Sequence, residues 1–174
     1  MYAIYESLTR IRDFMELGGN VLWGVFFVSI LMWTFMIERF WYFKKVYPGR
    51  RQAIAEAWAG RADTDSWYAK RVRDKMISEI RMELNQYLGL IKTCIGVLPL
   101  IGLLGTVTGM IMVFDVMAVT GAGNARLMAG GVSAATIPTM AGMVAALSGL
   151  AISARLDHYA KDEAEVIADS LRHE

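Results

Sequence analysis

Thr106 and Thr139 each bring a hydroxyl into an otherwise apolar stretch, where a polar group has to find a hydrogen-bond partner. A hydroxyl both donates and accepts, so it can serve a packing seam or line a polar path. At ~100° per residue, Pro99, Gly102, Gly109 and Val113 fall within ~60° of Thr106 on a helix. Around Thr139 the same window holds Val132, Ala135, Thr136, Gly142, Ala146 and Ser153. Both faces are narrow and weakly polar. Gly105-x-x-x-Gly109 has the spacing that lets two helix backbones approach, and bulk at Gly105 or Gly142 is expected to push packed backbones apart. Such a stripe reads either as a packing seam or as a pore face. The hydroxyls share a depth: Thr106 lies ~13 residues, or ~20 Å, from the inner edge of its span, and Thr139 ~15 residues, or ~23 Å. Two antiparallel helices enclose nothing alone, but copies arranged around a symmetry axis can line a channel ringed by hydroxyls. Two matched stripes favour the pore.

The elements that must hold these residues are membrane spans. The 174 residues are 55% hydrophobic, with 16 Gly and 12 Met, and the mean hydropathy is +0.36. Uncharged stretches of bilayer length cover 17–37, 93–119 and 129–154, with Asp115 the one formal charge inside them. The first is too long for a signal-peptide core and is expected to be retained. Its bulky residues (Trp23, Phe26, Phe27, Leu31, Trp33, Phe35) form a surface for lipid, so this helix belongs outside any assembly. Trp41, Tyr42 and Phe43, followed by Lys44 and Lys45, make an interfacial aromatic belt. Segment 38–92 carries twelve of the 18 Lys and Arg residues. The positive-inside rule therefore places 38–92 and the tail 155–174 in the cytoplasm, and the 1–16 segment and the 120–128 turn outside.

Residues 1–16 read either as a short amphipathic helix on the outer leaflet, with Tyr2, Ile4, Leu8, Ile11 and Met15 on its apolar side, or as a plain solvated lead-in. Pro48-Gly49 is expected to break the first helix, with a short helix over 52–58 and a capped turn over 60–65. From Ser66 onward Val72, Met76, Ile80, Leu84 and Ile91 recur at helical spacing without a proline. That pattern predicts one helix running unbroken into the second span, its face of Lys70, Arg73, Asp74 and Arg81 solvated. Pro138 is expected to kink the third helix, whose end continues as an amphipathic tail.

Other chemistries lack their residues. Net charge is +1 and Cys94 is the single cysteine, so nothing points to nucleic acid, an internal disulfide or a cysteine metal cluster. His158 and His173 have no plausible ligand partners nearby, no nucleotide-binding or hydrolase motif occurs, and neither enzyme activity nor a cofactor is expected. Asp115 lies nine residues from Thr106, on the opposite helix face, and reads as an ion pair with Arg126 across the turn or a solvated end charge, with a proton-carrying role the alternative.

Leu103-Leu-Gly-Thr-Val-Thr-Gly109 and Gly131-Val-Ser-Ala-Ala-Thr-Ile-Pro-Thr-Met-Ala-Gly-Met-Val-Ala-Ala146 resemble the ExbB/TolQ/MotA family of proton-driven motor subunits. The three spans and the length resemble a short ExbB rather than a longer, four-span MotA. The resemblance implies an all-α integral membrane protein forming a ring, commonly a pentamer, in the bacterial inner membrane. It implies a pore lined by the second and third helices and occupied by single-span ExbD-like partners. A membrane-embedded aspartate in those partners would carry protons and so energise a TonB-like protein for outer-membrane uptake. The family's two pore threonines fall on Thr106 and Thr139. The pore or proton pathway then comprises Thr106, Thr139, Thr136, Gly102 and Gly109, with Gly105, Gly142 and Pro138 packing the helices. A glutamate of larger family members corresponds to Ala134 here, so the lining would offer hydroxyls and no carboxylate of its own. A TolQ-like motor for envelope integrity, a passive channel and a membrane scaffold are the alternatives.

Overall fold

The computed structural model describes residues 5, 6, 9, 12, 14–16, 18–64, 66–121 and 125–171, with the backbone alone at 120 and 125–127. Every element among them is helical: α1 (Gly19–Trp41), a π turn (Tyr42–Val46), α2 (Tyr47–Ala59), α3 (Trp67–Asn85), α4 (Leu88–Thr120) and α5 (Ala125–Ser170). Three stretches, Gly19–Ala59, Trp67–Val119 and Met128–Ser170, are long and apolar enough to cross a membrane. The described residues before position 17 are helical and, Met15 apart, exposed. Leu17, where the first span was expected to begin, lies outside the described residues, as do Tyr2, Ile4, Leu8 and Ile11.

Two sequence expectations fail at helix breaks. Pro48 does not end the first helix; it sits in the opening turn of α2, directly after the π turn. A proline ring in a regular helix would collide with the carbonyl four residues back. The π turn widens the backbone before it, with the Tyr47 N–H donating to the Tyr42 carbonyl. The expected uninterrupted helix from Ser66 is instead cut at Gln86-Tyr87, where Tyr87 takes φ +62° between α3 and α4. No glycine or proline marks that break, and a left-handed tyrosine costs roughly 1–2 kcal/mol. Tertiary contacts hold it: the Tyr87 ring stacks on Phe35 at 5.3 Å, and the Arg39 guanidinium lies 5.1 Å from its centroid. The capped turn before α3 is as expected, with the Ser66 hydroxyl accepting from the Ala69 N–H at 3.1 Å.

Contacts divide the chain into two units, 1–32 with 93–150, and 33–92 with 151–174. The first holds most of the three spans. Its buried residues include Leu22, Val25 and Met32 of α1, Leu98 and Val113 of α4, and Ala135, Pro138 and Ala146 of α5, while Trp23, Phe26, Phe27 and Leu31 face outward. The second buries Phe43, Tyr47, Leu84, Ile91, Leu156, Ala160 and Ile167. It is pinned by polar contacts. The Tyr47 hydroxyl donates to a Glu163 carboxylate oxygen at 3.1 Å, and Arg50 bonds Glu83 at 2.9 Å. Lys92 and Lys161 share Asp157 at 2.7 and 3.1 Å. Arg73, expected on a solvated face, is half-buried and donates to the Ala168 carbonyl at 3.0 Å.

Candidate functional site

The small residues of α4 and α5 meet in one antiparallel seam. A Cβ added to Gly142 would lie 2.6 Å from the Leu98 carbonyl oxygen, at Gly102 2.8 Å from the Thr139 Cα, and at Gly105 2.5 Å from the Pro138 Cβ. At Gly109 it would lie 2.5 Å from the Ala135 Cβ, and one at Gly131 would strike Val113. Positions ascending in α4 therefore meet positions descending in α5. Only residues without a side chain allow this approach, which in lipid replaces the missing hydrophobic drive by close van der Waals contact. Thr139 adds a bond across the seam, its Oγ1 donating to the Gly102 carbonyl at 2.7 Å.

The hydroxyl-bearing windows straddle the seam and its margin. Gly109 lies ~60° from Thr106, and Gly142 ~60° from Thr139 and ~120° from Thr136. Rotation reverses sense between antiparallel helices, so Thr106 and Thr136 emerge on the same edge of the α4–α5 pair. Thr106 is half-buried and Thr136 exposed. Their hydroxyls donate to their own helices, Thr106 to the Leu103 carbonyl at 2.7 Å and Thr136 to the Ser133 carbonyl at 2.8 Å. Toward that edge each thus offers an acceptor oxygen. The other edge belongs to α1. Gly105 and Ile101 of α4 lie ~100° and ~140° from Thr106; an added Cβ at Gly105 would sit 3.3 Å from Val21, and one at Gly24 would sit 3.4 Å from Ile101.

On the α1 side a cavity of about 520 Å³ is lined by Asn20, Thr108, Gly109, Val113, Gly131 and Ala134 among others. Ala134, where a glutamate was expected in larger relatives, thus faces an apolar cavity and not the Thr106 edge. Asp115 is exposed. Its anticipated partner Arg126 has a side chain outside the described residues.

A model of the MotA/TolQ/ExbB proton channel family matches residues 47–169. The chain belongs to the MotA/TolQ/ExbB proton channel family. The biopolymer transport protein ExbB-like 1 of Synechocystis sp. is 42% identical over 66 residues, which is 36% of this chain and 26% of that protein. The match thus spans about a quarter of the relative's length. Membership in this family, together with three apolar helices, makes the chain a multi-pass membrane protein of a proton-channel, motor-type family rather than of an enzyme family.

Sequence reasoning passed over one structural centre of this family member. Arg39 was counted only as an inside charge, yet it is 1% exposed. Its Nη1 donates to the Glu83 carbonyl at 2.9 Å, its Nε pairs with Glu38 at 2.7 Å, and it lies 4.6 Å from the Tyr42 ring centroid. The carbonyl it takes is one that the cut at Gln86-Tyr87 removes from regular helix bonding. The available signal was an arginine next to a glutamate just before an aromatic cluster. The partner 44 residues away was invisible.

Proposed function

We propose that this chain is the ring-forming subunit of a proton-driven motor, built from several copies, five in the pattern of its family. Its α4–α5 edges would surround the membrane helix of an ExbD-like partner bearing an intramembrane aspartate. The observation that carries this reading is the Thr106–Thr136 edge, on the side away from α1 and left open among the described residues. The hydroxyls there present acceptors, which suit a protonated carboxylic acid: its O–H donates to them, and the neutral form is favoured inside the membrane. Thr139 stands beside them, its proton committed to Gly102 and its oxygen able to accept. Gly102, Gly105, Gly109, Gly142 and Pro138 hold the two helices close enough for both rows to reach one space. The subunit would sit in a bacterial inner membrane with its N-terminus periplasmic and its C-terminus cytoplasmic. Each proton crossing ~100 mV releases ~2.3 kcal/mol, which the ring and its partner would pass to a TonB-like protein to open outer-membrane transporters.

The test replaces shape-neutral hydroxyls. Thr106→Val with Thr136→Val removes two acceptors while leaving the Thr139–Gly102 bond. Losing a buried partner costs ~1–3 kcal/mol, so energy-dependent uptake should fall tenfold or more while ring assembly stays normal by native mass spectrometry. Uptake equal to that of the parent, at equal assembly, would make these hydroxyls packing groups.

A further inference from the structure

A second cavity, of about 640 Å³, lies within the unit formed by 33–92 and 151–174, between the end of α1 and the far part of α5. Trp33, Ile37 and Phe40 form one wall and Ile152 part of the other, with Lys44 and Arg155 among its lining residues. Ile37 and Phe40 are 62% and 63% exposed, and Trp33 is 40% exposed. The groove is graded along its length. Along α1 and the π turn after it the apolar Trp33, Ile37 and Phe40 come first and Lys44 follows eleven positions after Trp33; on α5 Ile152 precedes Arg155, with Leu156 and Tyr159 lining the mouth beyond it. Both helices leave the membrane on the same face, since two spans, the second and the third, separate their far ends. The cations therefore stand together at the mouth while the apolar wall runs inward for ~16 Å, about half the ~30 Å hydrocarbon core. Among the described residues neither cation is ion-paired. The Lys44 ammonium lies 5.9 Å from the Phe40 ring centroid, and the nearby carboxylate of Asp157 is already shared by Lys92 and Lys161.

We propose that this groove binds an anionic phospholipid, its phosphate between Lys44 and Arg155 and one acyl chain along Trp33, Ile37, Phe40 and Ile152. An amphiphile with one negative end and a half-bilayer tail matches that gradient of charge and depth. A protein helix laid in the groove would leave two cations facing its apolar side, without a counter-charge. The proposal needs only the membrane spans and stands apart from the motor reading.

The assembled full-length protein, in detergent, is loaded with dioleoyl phosphatidylglycerol or with the zwitterionic dioleoyl phosphatidylcholine, and retention per chain is read by native mass spectrometry. Two interfacial cations predict a preference for the anionic lipid of roughly 30-fold. Lys44→Gln with Arg155→Gln should reduce that preference to about twofold, whereas the charge-preserving Lys44→Arg with Arg155→Lys should keep it. Ile152→Trp, which fills the tail channel, should lower retention of both lipids. Lys45→Gln with Lys70→Gln removes the same charge away from the lining and should change nothing. Excess inorganic phosphate should not displace the lipid; displacement would assign the site to a free anion and overturn the lipid. Equal retention of the two lipids by the parent, or an undiminished preference in the Lys44→Gln, Arg155→Gln variant, would also overturn it. So would a photocrosslinker at Ile37 that yields chain-to-chain adducts in membranes instead of lipid adducts, because a second copy would then fill the groove.

Discussion

The two units of this chain solve the same problem, holding long helices together, by opposite means. In the unit of 1–32 and 93–150, contact comes from what is missing: at Gly102, Gly105, Gly109, Gly131 and Gly142 a single added carbon has no room. In the unit of 33–92 and 151–174, contact comes from long side chains that reach across, Arg39 to Glu83, Tyr47 to Glu163 and Arg73 to Ala168. Solvent explains the contrast. Lipid offers apolar side chains no reason to leave it, so close backbone approach and a few internal hydrogen bonds must supply the attraction. Where the second unit extends beyond the apolar runs, burial of aromatic and aliphatic groups drives association, and charged or phenolic tips find partners at its margins.

The largest expected effect tests the first half of that contrast. Gly105→Leu or Gly142→Leu should cost ~3 kcal/mol or more, because the added carbon meets Pro138 or the Leu98 carbonyl instead of a yielding side-chain tip. The measurement is loss of the assembled species in native mass spectrometry together with a lowered unfolding midpoint in detergent. Gly96→Leu is the matched control, since a Cβ there meets nothing within 4 Å. An equal loss from Gly96→Leu would show that apolar bulk, and not the seam, decides.

Next comes the centre of the second unit. Arg39→Met keeps the length of the stem but strips the donors, leaving the Glu83 carbonyl without its charged partner and Tyr87 without the guanidinium beside it. A lost hydrogen bond from a charged group predicts ~2–3 kcal/mol, with faster hydrogen exchange around Gln86 to Leu88 as its local mark. Arg39→Lys should not restore it, since an ammonium lacks the planar fork that serves Glu38 and Glu83 together. Unchanged exchange in Arg39→Met would mean that the stacking of Phe35 on Tyr87 suffices to hold the break.

A smaller effect probes the one polar tie inside the glycine seam. Thr139→Val deletes the bond to the Gly102 carbonyl at 2.7 Å and should cost ~1 kcal/mol. Thr136→Val, whose hydroxyl serves only its own helix, should leave the unfolding midpoint unchanged. If both variants unfold alike, the seam rests on packing alone.

The smallest effect is electrostatic and confined to the second unit. The hydrogen bond from Arg50 holds the Glu83 carboxyl below the usual carboxylate range, and Lys92, then Lys161, do the same for Asp157. A folded-state pKa below the unfolded one means that this stabilisation is complete above the ordinary carboxylate values. It is lost as pH falls through them, below about pH 4. Acid titration of the unfolding midpoint should show this fall, reduced in Glu83→Gln. The Tyr47 phenol shifts upward, chiefly by burial and then by the Glu163 charge beside it, so it stays neutral throughout. Because these pairs are partly exposed, salt should weaken the acid dependence while leaving the glycine seam unaffected.

Local rules sufficed wherever a residue's effect is carried by its own neighbourhood. Apolar runs of bilayer length announced the three spanning helices, Ser66 announced the start of α3, and missing side chains at Gly105 and Gly142 announced close approach. The repeated glycine, threonine and proline pattern also carried the family. Where the outcome depended on a partner far along the chain, the sequence was silent or misleading. Pro48 carries a strong stop signal, yet the π turn before it supplies room for its ring. Tyr87 carries no stop signal, yet Phe35 and Arg39 hold it in a conformation that its own backbone disfavours. The helical period outlines the face windows around Thr106 and Thr139, but period alone cannot say which part of a window is covered. Only the antiparallel register of α4 against α5 puts the glycines in the seam and leaves Thr106 and Thr136 on an open edge. Residue types set what each helix can touch; the tertiary structure decides which of those contacts coexist, because packing must satisfy all of them in one arrangement.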